Sequence, residues 1–88
     1  MTGAPKIKSM NIIDEYESVK RGLYSGSVGY IKPNKDFDFN VIIRSIIYDR
    51  ILKEINVSVG SAITFKSDPE SEYDECLIKA EPMIRSLK

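Results

Sequence analysis

Glu72 and Glu75 lie three residues apart, and Lys79 follows four residues after Glu75. On a helix this spacing gathers all three on one face. The chain contains no histidine and one cysteine, so zinc sites and histidine-based triads are excluded. Any metal must therefore be a hard cation held by carboxylates. The same pattern also describes a solvated helix face with one Glu–Lys pair, worth about 0.3–0.5 kcal/mol. Spacing alone favours that plainer account. Arg44 interrupts the apolar run Val41–Ile47. A buried, unpaired charge is very costly, so its head must reach either a partner or water from an edge strand. Tyr24 sits in glycine-bearing sequence and could equally be an aromatic packed on a sheet. Gly60-Ser61-Ala62, taken alone, signals no more than a bend.

Composition narrows the field around these residues. Thirteen basic residues balance 13 acidic ones, so no basic excess exists to grip a phosphate backbone, and nucleic acid is a poor partner. No apolar run approaches membrane-spanning length, and no basic-then-apolar start resembles a signal peptide. Cys76 has no internal partner, which fits a reducing compartment, and a cytoplasmic protein is expected. With 42% hydrophobic and 30% charged residues the chain reads as globular rather than disordered. At 10.0 kDa it has room for one small domain of marginal stability.

The elements that must position the candidates follow from periodicity. Pro5 suits a helix start, and Ile7, Met10, Ile13 and Tyr16 form an apolar stripe, predicting a helix over 5–16 with that stripe in the core. Leu23–Lys32 reads as extended, with Gly26 and Gly29 marking a bulge or the close approach of another group. Pro33-Asn34-Lys35 supplies a turn. Phe37–Tyr48 is the clearest strand, and Asp49-Arg50 turns into a third strand over Ile51–Thr64. Ser67 and Glu70 have capping-box spacing at the start of a second helix. Tyr73, Cys76, Leu77, Ala80, Ile84 and Leu87 form its apolar face, and Pro82 predicts a kink or stop near Glu81. The expected fold is α+β: helix, three-stranded antiparallel meander, helix.

The segment TGAPKIKSMNIIDEYESVKRGLYSGSVGYI resembles the signature of the chorismate-binding family, and DFDFNVIIRSI, VGSAIT and SDPESEYDECLIKA follow in that family's order and spacing. Several blocks in register over nearly the whole chain are far more specific than one short motif. The family includes anthranilate, aminodeoxychorismate and isochorismate-type synthases; YSGSVGYI and DFDFNVIIRSI lean toward the aminodeoxychorismate branch. The resemblance implies that residues 1–88 are the C-terminal segment of a larger α/β sandwich. It also implies that a further metal carboxylate and a lysine nucleophile, in a PIKGT motif, belong to an upstream part, so no catalytic nucleophile is expected here.

Residue by residue, the resemblance makes Glu75 a magnesium ligand, Glu72 a carboxylate of the same site and Lys79 a contact to a substrate carboxylate. Arg44 becomes a guanidinium gripping a carboxylate through its planar fork, and Tyr24 a hydrogen-bond partner of the substrate. The backbone N–H groups of Gly60, Ser61 and Ala62 become an anion nest, although serine and alanine stand where the family usually has glycine. The implied activity is amination of chorismate with ammonia from a glutamine amidotransferase subunit. An anthranilate synthase segment, or a non-catalytic remnant serving as an interaction module, are the alternatives. Excised from its larger fold, the segment is expected to be inactive and to self-associate.

Overall fold

The computed structural model describes residues 1–88, which divide into two compact units, Met1–Ile42 and Ile43–Lys88. The first holds helix α1 (Lys6–Tyr16) and strands β1 (Ser27–Ile31) and β2 (Phe37–Val41). The second holds β3 (Ile46–Asp49), β4 (Glu54–Val57) and helix α2 (Pro69–Ser86). This is the expected α+β class. No helix is long and apolar enough to cross a membrane.

In the first unit Pro5 stands directly before α1, and its carbonyl accepts the Ser9 N–H at 2.9 Å. The stripe expected in the core is largely outside it: Ile7, Met10 and Tyr16 are exposed, and Ile13 alone is half-buried. The close packing in this unit is between β1 and β2, which leaves α1 without a covering sheet. These strands pair antiparallel from Ser27↔Val41 to Ile31↔Phe37. Their loop is the one read from Pro33-Asn34-Lys35: Lys32 donates to the Asp36 carbonyl at 2.8 Å, and Asn34 accepts from the Asp36 N–H at 3.1 Å. Lys35 takes the left-handed conformation (φ +71°) that commonly closes such a hairpin. Leu23–Gly26, expected to be extended, is instead a turn in which Gly26 N–H donates to the Leu23 carbonyl at 3.1 Å.

The meander is not formed. The ladder of β1 and β2 ends with Ser25 and Gly26 bonded to Ile42 at 2.9 Å each, and the extended run then breaks over Ile42–Ser45. Arg44 adopts φ +50°, outside the extended region, and Ser45 Oγ folds back to donate to the Ile43 carbonyl at 2.9 Å. The expected strand Phe37–Tyr48 is thus two strands in two hairpins. In the second, β3 pairs antiparallel with β4 from Ile46↔Val57 to Asp49↔Glu54. The Asp49 carboxylate accepts the Ile51 and Leu52 N–H groups at 2.8 and 2.9 Å, which builds a loop over Arg50–Lys53 in place of the tighter turn expected. Residues 58–64 follow without regular structure.

Helix α2 is capped by Asp68 rather than Ser67. The Asp68 carboxylate accepts the Ser71 N–H at 2.9 Å and the Ser71 hydroxyl at 2.7 Å. Pro69 decides this frame, because it lacks an N–H and has a helical φ, so it belongs at the first helical position, directly after the cap. Ser67 instead ties the preceding turn, accepting the Thr64 N–H at 2.9 Å. The helix runs through Pro82 to Ser86. Proline removes one backbone donor, and the last turns are held by the Glu81–Arg85 ion pair and by Met83, the single buried residue of the chain. The inward face is Glu72, Cys76, Lys79, Ala80 and Met83, whereas Tyr73, Leu77, Ile84 and Leu87 of the expected apolar face are exposed. The strand beneath meets the helix on its mixed face, and the oily one is left outside.

Gly29 carries the close approach anticipated for it. It lies opposite Phe39, and a methyl group built on it would meet the Asp38 carbonyl and stand 2.5 Å from the Phe39 ring. Gly29→Val should therefore destabilise the β1–β2 hairpin by about 1–3 kcal/mol, the usual cost of overpacking. Amide hydrogen exchange across Ser27–Val41 checks this. Unchanged protection would show that the ring simply swings away.

Candidate functional site

The second unit brings together residues that the sequence only suggested. Its irregular loop runs beside the first turns of α2, and three polar links join the two. Ser61 Oγ donates to Glu72 and lies 3.3 Å from a carboxylate oxygen of Glu75. Lys79 Nζ pairs with Glu75 Oε1 at 2.5 Å and donates to the Gly60 carbonyl at 3.2 Å. The predicted helical face is real: the i, i+3 and i+4 spacing places Glu72, Glu75 and Lys79 in one cluster. Glu72, Lys79, Gly60 and Ser61 are half-buried, while Glu75 and Ala62 are exposed.

Electrostatics follow this geometry. Lys79, hydrogen-bonded and ion-paired to Glu75, holds the carboxyl below its ordinary value of 4.5, with smaller help from Ser61 and Glu72. The same partner holds the Lys79 ammonium above its ordinary 10.5. Both side chains remain a third or more exposed, so water screens much of the attraction. The cluster contributes two carboxylates, and no third acidic, histidine or cysteine side chain joins them to form a complete protein cage. An oxygen of each carboxylate nevertheless reaches one point, the Ser61 hydroxyl.

Other candidates stand elsewhere. Arg44 is exposed at the bend before β3 and takes part in none of the chain's three ion pairs, Glu17–Arg21, Glu75–Lys79 and Glu81–Arg85. Its charge is satisfied by solvent because its residue has left the strand. Tyr24 belongs to the first unit, half-buried in the turn before β1. Two features escaped sequence reasoning. The Ser61 hydroxyl, at a position where the resemblance leads one to expect glycine, itself donates to Glu72 and lies beside Glu75. Arg21 forms a bidentate pair with Glu17 at 2.6 and 2.8 Å; its i, i+4 spacing was the available signal.

The ion pair makes stability of the loop-to-helix link depend on pH in a defined direction. Glu75 is depressed, so its contribution is present above 4.5 and is lost as pH falls through the lower folded value. Lys79 is raised, so its contribution is present below 10.5 and is lost as pH rises through the higher folded value. Amide shifts of Ser61 and Lys79 should be flat across roughly pH 6–9 and move at both ends. Glu75→Gln should remove the acid limb. An acid limb that persists unaltered in that variant assigns it to another group.

Comparison with known proteins places this geometry in context. A family model described as chorismate binding enzyme matches residues 1–85. A probable aminodeoxychorismate synthase, chloroplastic, from Oryza sativa is 50% identical over 80 residues, covering 91% of this chain and 9% of the relative. An aminodeoxychorismate synthase from Streptomyces griseus is 40% identical over 87 residues, 99% of this chain and 12% of the relative. An anthranilate synthase component 1 from Acetivibrio thermocellus is 42% identical over 90 residues, 100% of this chain and 17% of the relative. The chain therefore spans between 9% and 17% of the length of these curated relatives. With the family model matched over almost all its residues, the chain belongs to the chorismate-binding enzyme family.

Proposed function

We propose that this chain is the C-terminal segment of an aminodeoxychorismate synthase component I, contributing metal-binding and anion-binding side chains to a site that converts chorismate and ammonia to 4-amino-4-deoxychorismate. The observation that carries the reading is the convergence of Glu72, Glu75, Lys79, the Gly60 carbonyl and the Ser61 hydroxyl in one cluster. Identity of 50% to an aminodeoxychorismate synthase against 42% to an anthranilate synthase supports the amination branch. Anthranilate synthesis, which differs by eliminating pyruvate, is the second reading.

The donor set suits magnesium. Glu72 and Glu75 offer carboxylate oxygens that meet at one point, and magnesium is commonly held by one or two carboxylates while keeping several waters. When bound there, the ion supplies a Lewis acid that eases departure of the chorismate C4 hydroxyl. Lys79, already anchored by Glu75 and the Gly60 carbonyl, would hold a substrate carboxylate with its one remaining donor. Arg44 presents an exposed planar fork for bidentate binding of a second carboxylate. The N–H groups of Gly60, Ser61 and Ala62 would add neutral donors to such an anion, and the Tyr24 hydroxyl would orient the substrate. Ammonia would come from a glutamine amidotransferase subunit. The half-buried, unpaired Cys76 supports a reducing compartment such as the cytoplasm.

In the complete enzyme, Glu75→Gln should abolish magnesium-stimulated turnover with folding intact. Arg44→Ala should raise KM and lower kcat, reducing kcat/KM by about 10- to 100-fold for the loss of one charged hydrogen bond. Near-normal magnesium stimulation in Glu75→Gln would remove the metal-ligand assignment.

The 88-residue chain alone should give no amination of chorismate with ammonia and magnesium, because catalysis needs groups held together by the larger fold. It should also self-associate, since Phe37, Phe39, Ile31, Tyr73 and Leu77 are all more than half exposed. Open hairpin edges add unpaired backbone donors and acceptors to those apolar faces. Light scattering at micromolar concentration together with a product assay tests both. A cooperatively melting monomer with measurable turnover would overturn the reading of a segment that depends on a larger body.

A further inference from the structure

Arg21 ties together three separate stretches of the first unit. Its Nε and one terminal nitrogen grip Glu17 at 2.8 and 2.6 Å. The other terminal nitrogen donates to the Met1 carbonyl at 2.7 Å and to Ser25 Oγ at 3.1 Å. Four of the five guanidinium N–H donors are thereby committed to the protein, which leaves little with which to hold a substrate anion. Its role is mechanical.

The object it holds is the turn that carries Tyr24. Tyr24 N–H donates to the Arg21 carbonyl at 3.0 Å, and Gly26 N–H donates to the Leu23 carbonyl at 3.1 Å. Between them Ser25 adopts φ +62°, a left-handed conformation unfavourable for a residue with a side chain. It is kept there from every side. Its N–H donates to the Ile42 carbonyl at 2.9 Å, its carbonyl accepts from the Met1 nitrogen at 3.2 Å, and its hydroxyl accepts from Arg21. Backbone in a sparsely populated conformation persists only where its surroundings over-determine it. The direction in which Tyr24 leaves the backbone is set by the turn that this strained neighbour closes.

We propose that Arg21, braced by Glu17, is the positioning residue for Tyr24, fixing the left-handed Ser25 and with it the orientation of the tyrosine. The proposal rests on the reading of Tyr24 as a substrate contact. Lysine cannot replace Arg21, because a single ammonium lacks the fork that reaches Glu17, Met1 and Ser25 together. In the 88-residue chain, Arg21→Lys and Arg21→Gln should speed amide exchange at Tyr24, Ser25 and Gly26 by about tenfold, leaving the Ile46–Val57 hairpin unchanged. No change at the turn, or an equal rise in both hairpins, overturns the proposal.

A second measurement separates positioning from plain stabilisation. With chorismate as the titrant of the complete enzyme, Arg21→Gln and Tyr24→Phe should each weaken binding, and the double variant should bind no more weakly than the worse single one. Losses that add overturn the proposal, because Arg21 would then act independently of Tyr24. Absence of chorismate binding by the unaltered complete enzyme would count against the proposed function instead, and the exchange measurement would still decide the role of Arg21.

Discussion

Lys79 joins the irregular loop and the helix of the second unit. Its ammonium lies between the Gly60 carbonyl and the Glu75 carboxylate, so one side chain fixes where the irregular loop runs relative to α2. Ser61 repeats the link one residue further on, through Glu72. The loop between β4 and α2 has no ladder of its own to define it. The alternative to these polar contacts would be an unanchored connection, with both carboxylates on an ordinary solvated helix face. The cluster is thus a positional device, whatever it binds. Its strength is modest, since both members of the ion pair remain partly in water.

That dependence on polar contacts follows from how little apolar surface the chain buries. Met83 is its one buried residue, while Ile7, Phe37, Phe39, Tyr73 and Leu77 face outward. Hydrophobic burial is normally the largest favourable term in folding. Here the periodic stripes exist, but the elements present do not cover them. The stripes on α1 and α2 face largely away from the other elements of the chain, which spans between 9% and 17% of the length of its relatives. A chain with this much uncovered surface gains most of its order from local devices: the Asp68 cap, the Asp49 and Asn34 turns, and the Arg21 brace.

Backbone strain marks the same places. Ser25, Lys35, Arg44 and Lys53 all hold positive φ without being glycine. Lys35 and Lys53 close hairpin loops, where one left-handed residue gives the strands their proper twist. Ser25 and Arg44 flank the first hairpin's ladder instead, one beside Tyr24 and the other itself a proposed ligand group. Such outliers gather where a side chain must be aimed rather than merely packed.

The sequence by itself determined the element types, the turn at Pro33-Asn34-Lys35, the need for glycine at position 29 and the family, because local propensities and short motifs are written in contiguous residues. It also determined that Glu72, Glu75 and Lys79 share a face, since helical spacing alone requires it. Tertiary structure decided what that face meets. A period-based reading sends the apolar stripe of α2 inward, but the loop from Gly60 binds the mixed face through Ser61 and Lys79, and of that stripe only Cys76 and Ala80 lie inward. The three-stranded meander failed for a related reason. Val41–Ile47 has the composition of one strand, and only the actual path of the chain reveals that it breaks at Arg44 into strands of two separate sheets. Whether Ser61 obstructs an anion nest or gathers two carboxylates could not be read from its identity, because a hydroxyl serves whichever acceptor the fold brings within reach.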